Sequence, residues 1–164
     1  MQNDMIKKIM KAIFSLLMLT ITTGSIAQSG MSAVLTDDII GYQANDEVRI
    51  DSLQDGTIQT SRTYSNGISS LNVRITKMSE TQKEELPKQV QRLTDEFLKV
   101  AAEGRMEAEA KNSSDLKGVL TFFEGTAGGI LIAKGAFLLE YQVSGVDGVA
   151  VSKKILENLN LSVL

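Results

Sequence analysis

Residues 57–78 read TIQTSRTYSNGISSLNVRITKM, and the fold follows from how that stretch alternates. Leu71, Val73 and Ile75 sit two apart, with Asn72, Arg74 and Thr76 between them. Successive side chains of a β-strand point to opposite faces, so the pattern describes one strand with an apolar and a polar face. Thr57 to Tyr64 is rich in β-branched residues. Asn66-Gly67 separates the two runs and is a hairpin signal, because both residues accept the positive φ that a two-residue turn needs. Working back, Asp55-Gly56 is a second such turn, and Glu47 to Ser52 (EVRIDS) alternates with Val48 and Ile50 on one face. Three antiparallel strands are predicted, with Leu71, Val73 and Ile75 in the core beneath the helix that comes next.

That helix is announced by a change of period. Leu86, Val90, Leu93, Phe97 and Val100 recur at intervals of four and three, the apolar stripe of an amphipathic helix. Ser79 with Gln82 three residues on resembles a capping box. Pro87 is expected in the first turn or just ahead of it, where its missing N–H costs nothing. Gly104 is the natural stop.

Further along, Met106 to Ala110 either extends the helix or opens a strand, and its alternation favours a strand. Gly118 to Phe123 is a strand, Gly125 to Gly129 a loose turn, and Ile130 to Val143 one long strand with a bulge or bend at Gly135. Asp147 is placed to cap a last helix carrying Val151, Ile155 and Leu159, and the apolar tail Leu161 to Leu164 should dock on the core. Upstream, Ala33 to Ile40 is a first strand or an extended segment, stopped by Gly41. The order is meander, helix, meander, helix. It describes an α+β domain over residues 28–164, with an antiparallel sheet of about six strands and helices packed on one of its faces.

Residues 1–27 read differently, as a secretory signal peptide. Lys7, Lys8 and Lys11 precede an uncharged, mostly apolar run from Ala12 to Ile21, and Ser25 and Ala27 are small residues at the −3 and −1 positions before Gln28. The run is shorter than the roughly 20 residues that span a bilayer, which favours cleavage over an anchor. Met5 is an alternative start to Met1. The style of the segment is bacterial and implies a periplasmic or secreted protein, with no later transmembrane segment. Three Lys and one Asp lie in 1–27, so the net charge moves from −3 for the whole chain to −5 for 28–164.

Composition narrows the chemistry. The 164 residues include no His, no Cys and no Trp, and 43% are hydrophobic, enough for a core. The usual neutral-pH general base, the thiolate nucleophile and the ligands of tight transition-metal sites are therefore missing. An acidic chain with 5% aromatic residues is poorly suited to nucleic acid. No cofactor and no metal site are expected.

Two runs resemble a known group. Arg62-Thr63-Tyr64-Ser65-Asn66-Gly67 before the alternating strand, and Lys134 to Gly145 (KGAFLLEYQVSG) before the terminal helix, are similar to small secreted bacterial proteins of unknown function. The resemblance covers most of residues 39–164, and the layout is similar to the sandwich of the PsbP/Mog1 group. It implies an α+β fold and carries no active site.

Several short motifs also admit plainer readings. Ser114-Asp115-Leu116-Lys117 matches the S-x-x-K of serine β-lactamases, but S-D-N and K-T-G are absent and the Ser lies in a predicted turn. Asp51 to Gly56 starts like a calcium loop, yet Leu53 and Arg62 stand where oxygen ligands belong, so a hairpin turn is the better reading. Gly125 to Gly129 lacks the spacing of a phosphate loop. Glu107 and Glu109 would share one strand face, as paired carboxylates or as a solvated edge. Phe97, Phe122, Phe123, Phe137 and Tyr141 either fill the core or line an apolar groove between helix and sheet. The leading expectation is a non-enzymatic envelope protein that binds a protein or surface partner. A carrier of a small apolar ligand or lipid is the alternative, and a hydrolase using Ser, Asp, Glu or Lys is the third.

Overall fold

The computed structural model describes residues 29–53 and 55–164, so the signal-peptide reading falls outside the described residues. Three helices and nine strands follow in order: α1 (Ser29–Val34), β1 (Asp38–Ile39), β2 (Tyr42–Ala44), β3 (Arg49–Ser52), β4 (Ile58–Ser65), β5 (Ser70–Lys77), α2 (Glu80–Ala102), β6 (Glu107–Asn112), β7 (Leu116–Phe123), β8 (Thr126–Ala133), β9 (Phe137–Ser144) and α3 (Val149–Asn158). A 3₁₀ turn, Leu161–Val163, closes the chain. The class is α+β. All strand pairs are antiparallel, in the order β1-β2-β4-β5-β9-β8-β7-β6, and β3 also pairs with β4.

The first meander forms as its turn residues dictate. Asn66 Oδ1 accepts from the backbone N–H groups of Ile68 and Ser69, and Gly67 takes φ +85°. Asp55 Oδ1 accepts from Thr57 N–H, which holds that carboxyl below its usual value, and Gly56 takes φ +82°. Leu71, Val73 and Ile75 are all buried on one face. The meanders meet where β5 pairs with β9, from Leu71↔Val143 to Lys77↔Phe137.

Six expected strands become nine for local reasons. β1 and β2 have two and three residues, too few to show a period. The run Ile130 to Val143 is the end of β8, a tight turn and β9: Lys134 and Gly135 both take positive φ, +48° and +66°, so Gly135 completes a reversal rather than a bulge. The turn expected over 125–129 shrinks to Glu124-Gly125, at φ +46° and +76°, and Thr126 to Gly129 belong to β8. Those glycines are strand residues because Tyr141 needs their space. A Cβ on Gly129 would lie 2.5 Å from the Tyr141 ring. The segment 33–40 is not extended throughout: Met31, Val34 and Leu35 are buried from α1 and its end, and the chain then turns at Ile40-Gly41.

The helices also depart from expectation. The capping reading holds, since Gln82 Oε1 accepts from Ser79 N–H at 3.0 Å, and Gly104 ends α2 at φ +71° with its N–H on the Ala101 carbonyl. Pro87, however, is inside α2, the eighth residue after the cap, where it leaves the Lys83 carbonyl without its helical donor. Gly148, not Asp147, is the cap residue of α3; the Val149 N–H is met instead by Glu107 Oε2 from β6 at 3.2 Å.

Most consequential is the placement of α2. Leu71, Val73 and Ile75 pack with Tyr64, Leu131, Leu139 and Tyr141, and with Met31, Val34 and Leu35 from the α1 segment and Ile155, Leu156 and Leu159 from the α3 segment. Val90 of α2 packs instead with Met78, Ile132 and Leu138, flanked by Leu86 and Ile130. Because odd and even residues of a strand face opposite ways, α2 lies on the other side of the sheet. The sheet is therefore covered on both faces, not one, and the alternating residues of β5 are buried beneath α1 and α3 rather than beneath the middle helix.

Candidate functional site

The α3 face is closed. Tyr141 Oη donates to the Ser152 carbonyl at 2.8 Å, and Ser152 Oγ donates to the Gly128 carbonyl, so the buried hydroxyls tie β9, β8 and α3 together. Burial raises the Tyr141 phenol and keeps it protonated. The two carboxylates singled out in the sequence are ties of the same kind. Glu107 caps α3, and Glu109 pairs with Lys111 at 2.7 Å and Lys153 at 3.4 Å; the Lys111 hydrogen bond holds its carboxyl low.

The α2 face is more polar. α2 lies across β6, β7 and β8. Beyond its footprint, β4, β5 and β9 present Gln59, Ser61, Asn72, Arg74, Thr76, Glu140 and Gln142. Arg74 and Glu140 stand directly opposite each other in the β5–β9 register, and Gln59 stands opposite Thr76 in the β4–β5 register. The four side chains are therefore contiguous neighbours on three adjacent strands. Glu140 is 6% exposed, Thr76 2% and Gln59 9%.

Their hydrogen bonding is incomplete. Arg74 Nη1 is 3.7 Å from Glu140 Oε2, an ion pair too long for a hydrogen bond. Arg74 Nε, Thr76 Oγ1 and Gln59 Oε1 are buried with no protein partner. Burial pushes the Glu140 carboxyl above its usual value, and Arg74 only partly opposes it. Buried polar atoms without partners are costly, and three of them lie side by side around this ion pair. Thr60 and Tyr64 hydroxyls are also unpartnered, but they lie on the closed face.

The five aromatic candidates do not converge. Phe122, Phe137 and Tyr141 belong to the cluster on the α3 face, whereas Phe97 is buried on α2 and Phe123 lies on the α2 side of β7. Ser114 and Lys117 do share a small pocket, of about 190 Å³, at the Pro87 end of α2. No hydrogen bond joins them, so the Lys is not set as a base for the Ser. Asp51 is taken by Arg49 at 2.9 Å and Asp55 by its own turn. Among the described residues no three acidic side chains gather as a metal site, and no helix is long and apolar enough to cross a membrane.

Nothing in the sequence marked Arg74 or Glu140. Each occupies the polar half of an alternating strand, and only the β5–β9 pairing joins them. In comparisons with known proteins, no family model, curated protein or solved structure matches the chain.

Proposed function

We propose that the chain is an exported, non-catalytic binding protein whose recognition surface is the polar part of the α2 face around Arg74 and Glu140. The observation that carries this reading is the set of buried, unpartnered atoms on Gln59, Arg74 and Thr76, adjacent to one another on the polar part of the α2 face. The partner that fits them is polar. It offers an acceptor to Arg74 Nε and a donor to Gln59 Oε1.

The carrier of an apolar ligand draws less support, because the aromatic side chains are divided between two packed faces. A Ser–Lys hydrolase draws less still, because Ser114 and Lys117 are not in contact. Export rests on the basic start, apolar run and small-residue exit of residues 1–27.

Native mass spectrometry of the chain, isolated from the envelope fraction of cells that produce it, tests the reading. A retained polar molecule or protein that is lost from Arg74→Met, but kept by Arg92→Met on the outer face of α2, supports it. A bare protein, or an adduct that survives Arg74→Met, overturns it.

A further inference from the structure

The pocket at the Pro87 end of α2 carries an inference that does not rest on the polar face. Its floor and one wall are apolar, formed by Pro87, Val90 and Ile132, and its rim carries Ser114, Lys117 and Gln91. Lys117 is exposed and meets no carboxylate among the described residues. Ser114 is also exposed, with no hydrogen bond among the described residues. The Gln91 amide nitrogen is committed to Asp95, so the donors left at the rim are the Lys117 ammonium and the Ser114 hydroxyl, beside the Gln91 amide oxygen.

Gly118 and Gly135 complete its wall. Gly118 takes φ +148°, and a Cβ there would lie 2.1 Å from the Ile130 carbonyl oxygen, so no side chain can be carried at that position. About 190 Å³ is below the roughly 300–1,000 Å³ of sites that enclose drug-sized ligands, which limits the occupant to a small molecule.

A positive charge and a hydroxyl beside an apolar lining match a small molecule with one anionic head and a short aliphatic tail. We propose that this pocket binds a short-chain carboxylate, with the carboxylate on Lys117 and Ser114 and the tail against Pro87, Val90 and Ile132. The pairing is chemically specific: the ammonium meets the charge at the mouth, and the floor has no polar side chain to satisfy a longer polar molecule.

Amide NMR of residues 28–164, titrated with hexanoate at constant ionic strength, tests the proposal. Saturable shifts are expected at Gly118, Gly135 and Gln91, with acetate and hexanol each weaker than hexanoate. Lys117→Met should weaken hexanoate by about tenfold or more, the loss of one charge-assisted contact. Lys99→Met, an exposed Lys near the far end of α2, should leave it unchanged. Ser114→Phe, a change in an exposed turn, should plug the mouth and abolish the shifts. Shifts that do not saturate, that fall elsewhere, that persist in Lys117→Met, or that chloride reproduces would overturn it.

Discussion

The two faces of the sheet are made by the same strands and solve the same problem differently. On the α3 face, β5 contributes Leu71, Val73 and Ile75, and β9 contributes Leu139, Tyr141 and Val143, all within 1% of complete burial. On the α2 face the intervening residues are Asn72, Arg74, Thr76, Glu140 and Gln142. The apolar face is closed by α1 and α3; its buried Tyr141 and Ser152 find partners within the protein, while the Thr60 and Tyr64 hydroxyls do not. On the polar face α2 covers β6 to β8, and the groups beyond it remain partly unpaired. The same strands thus carry an apolar face packed by two helices and a polar face whose buried hydrogen bonding is incomplete.

The sharpest way to break this comparison is to place a charge on each face of one strand. Val73→Asp buries an unpaired carboxylate where the side chain is 1% exposed, and should cost roughly 3–5 kcal/mol. Asn72→Asp, one residue away on the exposed side, should stay within about 0.5 kcal/mol. Thermal or denaturant unfolding of the pair measures both, and equal effects would mean that the register is wrong.

A smaller loss tests the closed face from within. Tyr141→Phe removes the buried hydrogen bond to the Ser152 carbonyl and should cost about 1–2 kcal/mol, measured the same way.

The polar face is expected to respond to pH. Burial raises the Glu140 carboxyl, so between its ordinary value of 4.5 and the raised native value the folded state holds a proton that the unfolded chain has released. The contribution of this group to stability is fully present below 4.5 and falls as pH rises through that window. Glu140→Gln keeps the shape without the charge. It should be more stable than the parent near neutrality, and the difference should vanish in acid. A melting-temperature difference that grows on acidification would reverse the assignment.

The smallest effect is the most diagnostic of a vacancy in the hydrogen bonding. Thr76→Val removes a buried hydroxyl that has no protein partner, so stability should be unchanged or rise by up to about 1 kcal/mol. A loss above that range in the unliganded protein would mean that the hydroxyl already serves the fold.

Much of the fold was legible because its causes are local. Asp55-Gly56, Asn66-Gly67 and the alternation of 71–76 define a meander without help from the rest of the chain. The spacing of Leu86, Val90 and Phe97, with Ser79 and Gly104 at the ends, defines a helix. What was not legible depends on distant partners. Alternation says that two faces differ, but the side on which α2 lands is set by packing on Ile132 and Leu138, far along the chain. Gly128 and Gly129 look like a turn until Tyr141 is placed against them. The Ile130 to Val143 run hides its reversal because Lys134-Gly135 is flanked by apolar residues on both sides. The candidate site was illegible for the same reason. Arg74 and Glu140 each look like ordinary outward-facing strand residues, and their pairing exists only across the seam between the meanders.

That seam also sets an order of events. β5 pairs with β9, so residues 71–77 acquire their outer neighbour only when 137–143 arrive. Until then β5 is an edge strand with open backbone groups and an apolar row, the state most prone to wrong pairing with another chain. Pairings between segments this far apart in sequence close slowly, because the intervening chain must be ordered first. The N-terminal meander therefore cannot mature by itself. A chain stopped short of Phe137 should remain unfolded or aggregate, and a chain crossing a membrane from its N-terminus would keep its sheet unfinished until nearly all of it had passed.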